Sequence, residues 1–155
     1  MTSSTPRTAL HPTILFALVA ALYLTLLTVD FARYGGVVAP SWITAAFAVA
    51  LGGWVGCRRS EKPAAPRVFA VLAVVSAAAQ IALFCVAVPA YSVSAAQARL
   101  AQANPGTAWT YDGTMEMTPR ATAFVSKGYV FTQSDGASQR VFFDPVSGQS
   151  FALAQ

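Results

Sequence analysis

A basic loop, Cys57-Arg58-Arg59-Ser60-Glu61-Lys62-Pro63-Ala64-Ala65-Pro66-Arg67, lies between two long apolar runs. No other feature constrains the chain as much. Arg58, Arg59, Lys62 and Arg67 face the single acid Glu61, so four of the chain's ten basic residues fall in one short segment. Apolar runs of this length read as membrane spans, and Lys and Arg concentrated in a short loop hold that loop on the cytoplasmic side. The composition agrees, with 55% hydrophobic and 10% charged residues, where a soluble domain carries about 25% charged. The net charge of +4 is therefore a topology signal. A nucleic-acid binder would spread its basic residues along a solvated face among aromatics, and no nucleic acid is expected as a partner.

The fold class that follows is membrane α-helical, with three transmembrane helices and a small C-terminal antiparallel β-rich extramembrane domain. A cytoplasmic N-terminus (1–12) precedes a first span at 13–34, which opens after His11-Pro12, since proline is tolerated in a helix's first turn. Gly35-Gly36 ends it, and no small-x-small cleavage site follows, so it reads as an uncleaved anchor. After a periplasmic turn (35–37), the second span (38–56) carries Trp42 and Trp54 near its two ends, where indoles favour the headgroup zone. The basic loop (57–66) leads to a third span at 67–90, ended by Pro89. A juxtamembrane helix (91–104) stops at Asn104-Pro105-Gly106. With the basic loop inside, the N-terminus is cytoplasmic and everything after Tyr91 is outside. The tail's Arg99, Arg120, Lys127 and Arg140 balance Asp112, Glu116, Asp135 and Asp144, which suits export. The Ala-rich helices point to a bacterial inner membrane and hence a periplasmic tail.

From 105 to 155 the pattern turns to β. Trp109, Tyr111, Met115 and Met117 alternate. Ala121–Ser126 and Tyr129–Thr132 flank Lys127-Gly128, while Asp135-Gly136 and Ser147-Gly148 signal turns beside Val141–Phe143 and Phe151–Leu153. About four antiparallel strands are expected. So small a sheet buries little core by itself, and Cys57 and Cys85, at opposite ends of their helices, cannot staple it. It needs support from its own helices, a partner or a second copy.

Several residues are candidates for function. Ala48, Gly52 and Gly56 recur at four-residue spacing, as do Ala73 and Ala77, and such small-residue faces let helices approach closely in lipid. Packing within the chain is the plainer reading; docking on another subunit's helix is the functional one. Gln80, deep in the third span, needs an interhelical hydrogen bond and reads as structural glue. Asp30 and Arg33 lie on one face at the outer boundary, where an ion pair or water can satisfy them. Trp109, Tyr111, Phe142 and Phe143 supply a surplus of aromatics that a partner surface could use, and the adjacent Phe142 and Phe143 must face opposite ways. Met115 and Met117 present thioethers on one strand face; these suit copper(I) but form an incomplete ligand set. No metal or other cofactor is expected.

Enzymatic readings lack machinery. The tail has no His to activate a nucleophile; Ser126 and Lys127 are neighbours on a strand and point apart; Asp112 and Glu116 lack a supporting cleft. The expected function is that of a non-catalytic accessory or assembly subunit of a larger inner-membrane complex, touching lipid and other membrane subunits or itself. The alternative is a small ligand- or copper-handling protein using its tail.

Overall fold

The structure is a computed structural model that describes residues 11–117, 122–134 and 139–153. Arg7, Arg120 and the Asp135-Gly136 turn signal lie outside these residues. Four helices precede a sheet: α1 (Pro12–Tyr34), α2 (Ser41–Arg59), α3 (Ala65–Ala87), α4 (Val93–Ala103), then β1 (Trp109–Glu116), β2 (Lys127–Gln133), β3 (Arg140–Phe143) and β4 (Ser150–Leu153).

Two helices, α1 and α3, are long and apolar enough to cross a membrane. The shorter α2 is diluted by Ser41, Thr44, three glycines and its terminal Arg58-Arg59. The three form an up-down-up bundle. Phe16 stacks on Trp54 at 4.8 Å and Tyr23 on Phe47 at 4.7 Å, which sets α1 antiparallel to α2. Ser76 on α3 donates to the Ala46 carbonyl at 2.6 Å. The basic loop thus sits at one end of the bundle, beside the start of α1, and the sheet sits at the other. Val19, Ala50, Phe69 and Ala73 form the bundle's core, whereas Leu18, Leu24, Val71 and Val86 stand outward at 58–67% exposure. So many large aliphatics on the outside depart from the arrangement of a water-soluble bundle.

Each break in the helices has a local cause. His11 caps α1 through its ring nitrogen. At the far end Gly35 and Gly36 take positive φ of 63° and 73°, the left-handed closure glycine favours. Val88 leaves α3 in extended conformation immediately before Pro89, as proline demands of its predecessor. Ser92 then caps α4, accepting from the Ala95 N–H, so α4 is a separate helix and not an extension of α3.

The sheet is an antiparallel meander in the order β1-β2-β3-β4. Here the sequence reading needs correction. Lys127-Gly128 is not a turn but the start of β2, and of the expected strand over Ala121–Ser126 only an isolated bridge, Val38↔Val125, is present among the described residues. The Ser147-Gly148 turn does form: Asp144 accepts from the Val146 N–H at 2.8 Å and from the Ser147 hydroxyl at 2.6 Å. One face of the sheet makes a core of Trp109, Tyr129, Phe131, Val141 and Phe143, completed by Ala96 and Leu100 of α4 and by Tyr34 and Val37 from the end of α1 and the turn after it. Of the three supports considered for the sheet, its own helical part is the one found.

Candidate functional site

The junction between bundle and sheet is where distant sequence converges. The turn after α1 is held as a short strand-like segment: Ala39 N–H donates to the Phe124 carbonyl at 2.6 Å and Ser126 N–H to the Val37 carbonyl at 3.4 Å. Asp30 faces inward here, 5% exposed, and its Oδ1 accepts from the Val38 N–H at 3.3 Å. Arg33 turns the other way, exposed, with its guanidinium 5.7 Å from the Tyr34 ring. Of the two ways offered to satisfy Asp30 and Arg33, the ion pair is absent, because Asp30 is drawn in to hold the turn. Asp30 and Lys127 both line a cleft of about 400 Å³, together with Tyr23, Thr44 and Thr114 and the apolar Leu27 and Phe31. Lys127 shares the face of β2 that carries Tyr129 and Phe131, since side chains two apart point alike. Nothing in the sequence signalled that Lys127 would share a cleft with Asp30.

Tyr129 locks the junction. It is fully buried and its hydroxyl donates to the Tyr91 carbonyl at 2.9 Å. Burial pushes its hydroxyl above the ordinary tyrosine value of 10.0, as it does for Tyr111. Tyr91, at the α3–α4 joint, in turn receives Arg99 on its hydroxyl at 2.9 Å and packs edge-on to Phe143 at 5.6 Å. Tyr111 closes over Gly35, where an added Cβ would meet its hydroxyl.

The outer face of the sheet is a second candidate surface. Phe142 covers Gly128, Phe151 pairs with Phe142 and Met115 with Gly128, so all lie on that face. Met115 and Phe151 are 40% and 53% exposed. Together with Glu116, Met117, Asp144 and Leu153 they surround a cleft of about 460 Å³. Of the four aromatics assigned to a partner surface, only Phe142 is outward. Trp109 and Phe143 are buried and Tyr111 is half-buried against the core, because the sheet spends them on sealing itself to the helices. Phe151, another aromatic of the tail, joins Phe142 on the outer face across the tight turn. On the same face Asp112 pairs with Arg140 at 2.8 Å, which removes Asp112 from any paired-carboxylate arrangement with Glu116.

In the bundle, Ala73 is buried and Ala77 packs beside it, but the α2 stripe is rotated outward. Ala48, Gly52 and Gly56 are exposed, and an added Cβ at Gly52 or Gly56 meets nothing within 4 Å. The face that packs on α3 contains Ala46, Ala50 and Gly53 instead; a Cβ at Gly53 would lie 3.0 Å from Leu72. The expectation that the stripe packs within the chain is thus overturned. Gln80 is fully buried and donates to Ser76 at 3.2 Å, so its link to α2 is relayed through that hydroxyl and not made directly. Among the described residues its Oε1 has no partner. Arg58 stacks over Trp54 at 5.3 Å beside the basic loop, and Cys57 and Cys85 are both free.

Comparison with protein-family models, with curated proteins and with solved structures finds no match to this chain. Its function is read from the residues alone.

Proposed function

We propose that the chain is a three-span protein of a bacterial inner membrane, N-terminus in the cytoplasm and sheet in the periplasm, that serves as a non-catalytic accessory or assembly subunit of a larger membrane complex. Two helices are apolar enough to cross a membrane, and a crossing by both, each with its C-terminal end toward the sheet, would bring α2 back through the same thickness. Its 19 residues reach about 28 Å at 1.5 Å per residue, close to the ~30 Å hydrocarbon layer. The separation of the basic loop from the sheet supports the orientation through the positive-inside rule.

The observation that carries the assembly role is the outward stripe Ala48-Gly52-Gly56. The chain packs a different face of α2 internally and leaves its closest-approach surface unused, which is the arrangement a partner helix in lipid exploits. The outer sheet face with Met115, Phe142 and Phe151 gives a second contact on the same molecule. The test is a mild-detergent pull-down of tagged protein from native membranes, with stoichiometry by mass spectrometry. A stoichiometric partner that is lost from Gly52→Ile protein supports the subunit role. Recovery of the chain as a lone monomer would sink it.

The copper-handling reading keeps one favouring observation: Met115 and Met117 border the same cleft. Titration of the full-length protein with copper(I) tests it, and an unchanged spectrum and mass would end it.

A further inference from the structure

The cleft at the bundle–sheet junction combines features that an internal cap does not need. Asp30 is almost wholly buried, yet its recorded work is to accept one backbone N–H through Oδ1. Among the described residues its second oxygen accepts no hydrogen bond, and a carboxylate oxygen left open in this way can accept one from a ligand. Lys127, from the start of β2, lines the same cleft. Still, the two do not pair within 4 Å, the one ion pair among the described residues being Arg140–Asp112. An anionic and a cationic group thus face one space with room between them. The wall below is apolar: Leu27 and Phe31 follow Tyr23 at four-residue steps along α1, and Phe31 is 70% exposed on the bundle's outer surface. A ligand suited to these walls carries a cation, an anion a few bonds away and an apolar tail.

We propose that this cleft seats a zwitterionic phosphoethanolamine headgroup, its primary ammonium on Asp30, its phosphate on Lys127 and its acyl chains running past Leu27 and Phe31. An ammonium donates charge-assisted hydrogen bonds to a carboxylate, which a quaternary choline cannot do, and a lysine serves phosphate as a point charge. A metal cation fits poorly, because one carboxylate is its sole charged ligand and an ammonium lines the same cleft. The inference rests on the membrane reading above and goes beyond it to a specific lipid contact.

The test is native mass spectrometry of the purified full-length protein in a mild detergent, titrated separately with dioleoyl phosphatidylethanolamine, phosphatidylcholine and phosphatidylglycerol. Phosphatidylethanolamine should be retained at about tenfold lower concentration than the other two, the preference expected of one good charge-assisted contact. Asp30→Asn keeps an oxygen for the Val38 N–H, and Lys127→Met keeps the apolar stem; each should abolish the preference. Should one variant lose its near-UV circular dichroism, the other decides. Equal retention of the three lipids, or a preference that survives in the folded variants, would overturn the proposal. Free phosphoethanolamine that competes at the same concentration as the lipid keeps the headgroup chemistry and assigns it to a soluble compound. Release of the protein from membranes by carbonate without detergent would overturn the membrane reading itself, whatever the lipid preference.

Discussion

At Tyr129 a single side chain fills the core with its ring and ties the sheet to the α3–α4 joint with its hydroxyl. Tyr129→Phe leaves the ring in place and orphans the Tyr91 carbonyl, so unfolding of the full chain in detergent should cost about 1–3 kcal/mol less, read from a urea titration followed by near-UV circular dichroism. The pH dependence has a definite sign. Burial raises the hydroxyls of Tyr129 and Tyr111 above their ordinary 10.0, so the folded state holds these protons more tightly than the unfolded chain. Their contribution is complete below pH 10 and is lost as pH rises beyond it. The urea midpoint should therefore fall between pH 9.5 and 11.5, as limits of the titration set about the ordinary value, and fall less in Tyr129→Phe; a flat profile in both proteins would refute the linkage. By contrast the exposed Asp112–Arg140 pair should matter little, and Arg140→Ala should shift stability by under ~1 kcal/mol. Some of this was legible in advance: adjacent Phe142 and Phe143 had to diverge, and they do. The inward turn of Asp30 was not, because the N–H that draws it in belongs to a loop whose path depends on residues 124–126.

Among the elements, α2 separates what a helix pattern can and cannot reveal. Its small residues occur both at Ala48-Gly52-Gly56 and at Ala46-Ala50-Gly53, and in an Ala- and Gly-rich helix the spacing alone does not choose between the faces. The choice falls to Phe69 and Leu72 of α3, which rest on Gly53. This gives a paired prediction. Gly53→Val should destabilise the bundle by about 1–3 kcal/mol through overpacking, lowering the midpoint of detergent unfolding. Gly52→Val should leave that midpoint within about 0.5 kcal/mol, while weakening any association through the outward stripe. Equal effects of the two would contradict the face assignment. The strands were half legible for a related reason. The Ser147-Gly148 turn is written in local chemistry, with Asp144 bonding its own turn. The start of β2 is not: Gly128, which resembles a turn residue, is a glycine because Phe142 from β3 lies across it.

For the whole molecule, the decisive fact is that the helical bundle and the sheet do not have separate cores. Tyr34 and Val37 belong to the same packed cluster as Tyr129, Phe131 and Phe143. A fragment spanning residues 105–155 lacks those side chains, the α4 residues beneath them and the turn that bridges to Val125. Expressed alone it should give the amide spectrum of an unfolded chain; a dispersed spectrum would refute the shared core. The proposed topology has its own check, since a periplasm-dependent reporter fused after Gln155 should be active and a cytoplasm-dependent one silent. The break between α2 and α3 was readable from the sequence, because the basic loop interrupts two apolar runs and needs no distant contact to do so. That the sheet needed outside support was readable from its size, but the residues that give it were not. They depend on pairing between Val38 and Val125, far along the chain. That pairing also imposes an order of events. In the proposed topology the turn after α1 reaches its final side of the membrane early and must wait there for the tail. Under the proposed topology, a molecule threaded the wrong way, or one whose first two helices fail to insert, delivers its tail to a compartment with nothing to fold against. On that topology correct insertion would be a precondition for a folded tail, and misinserted copies would be left with an unfolded tail open to proteolysis.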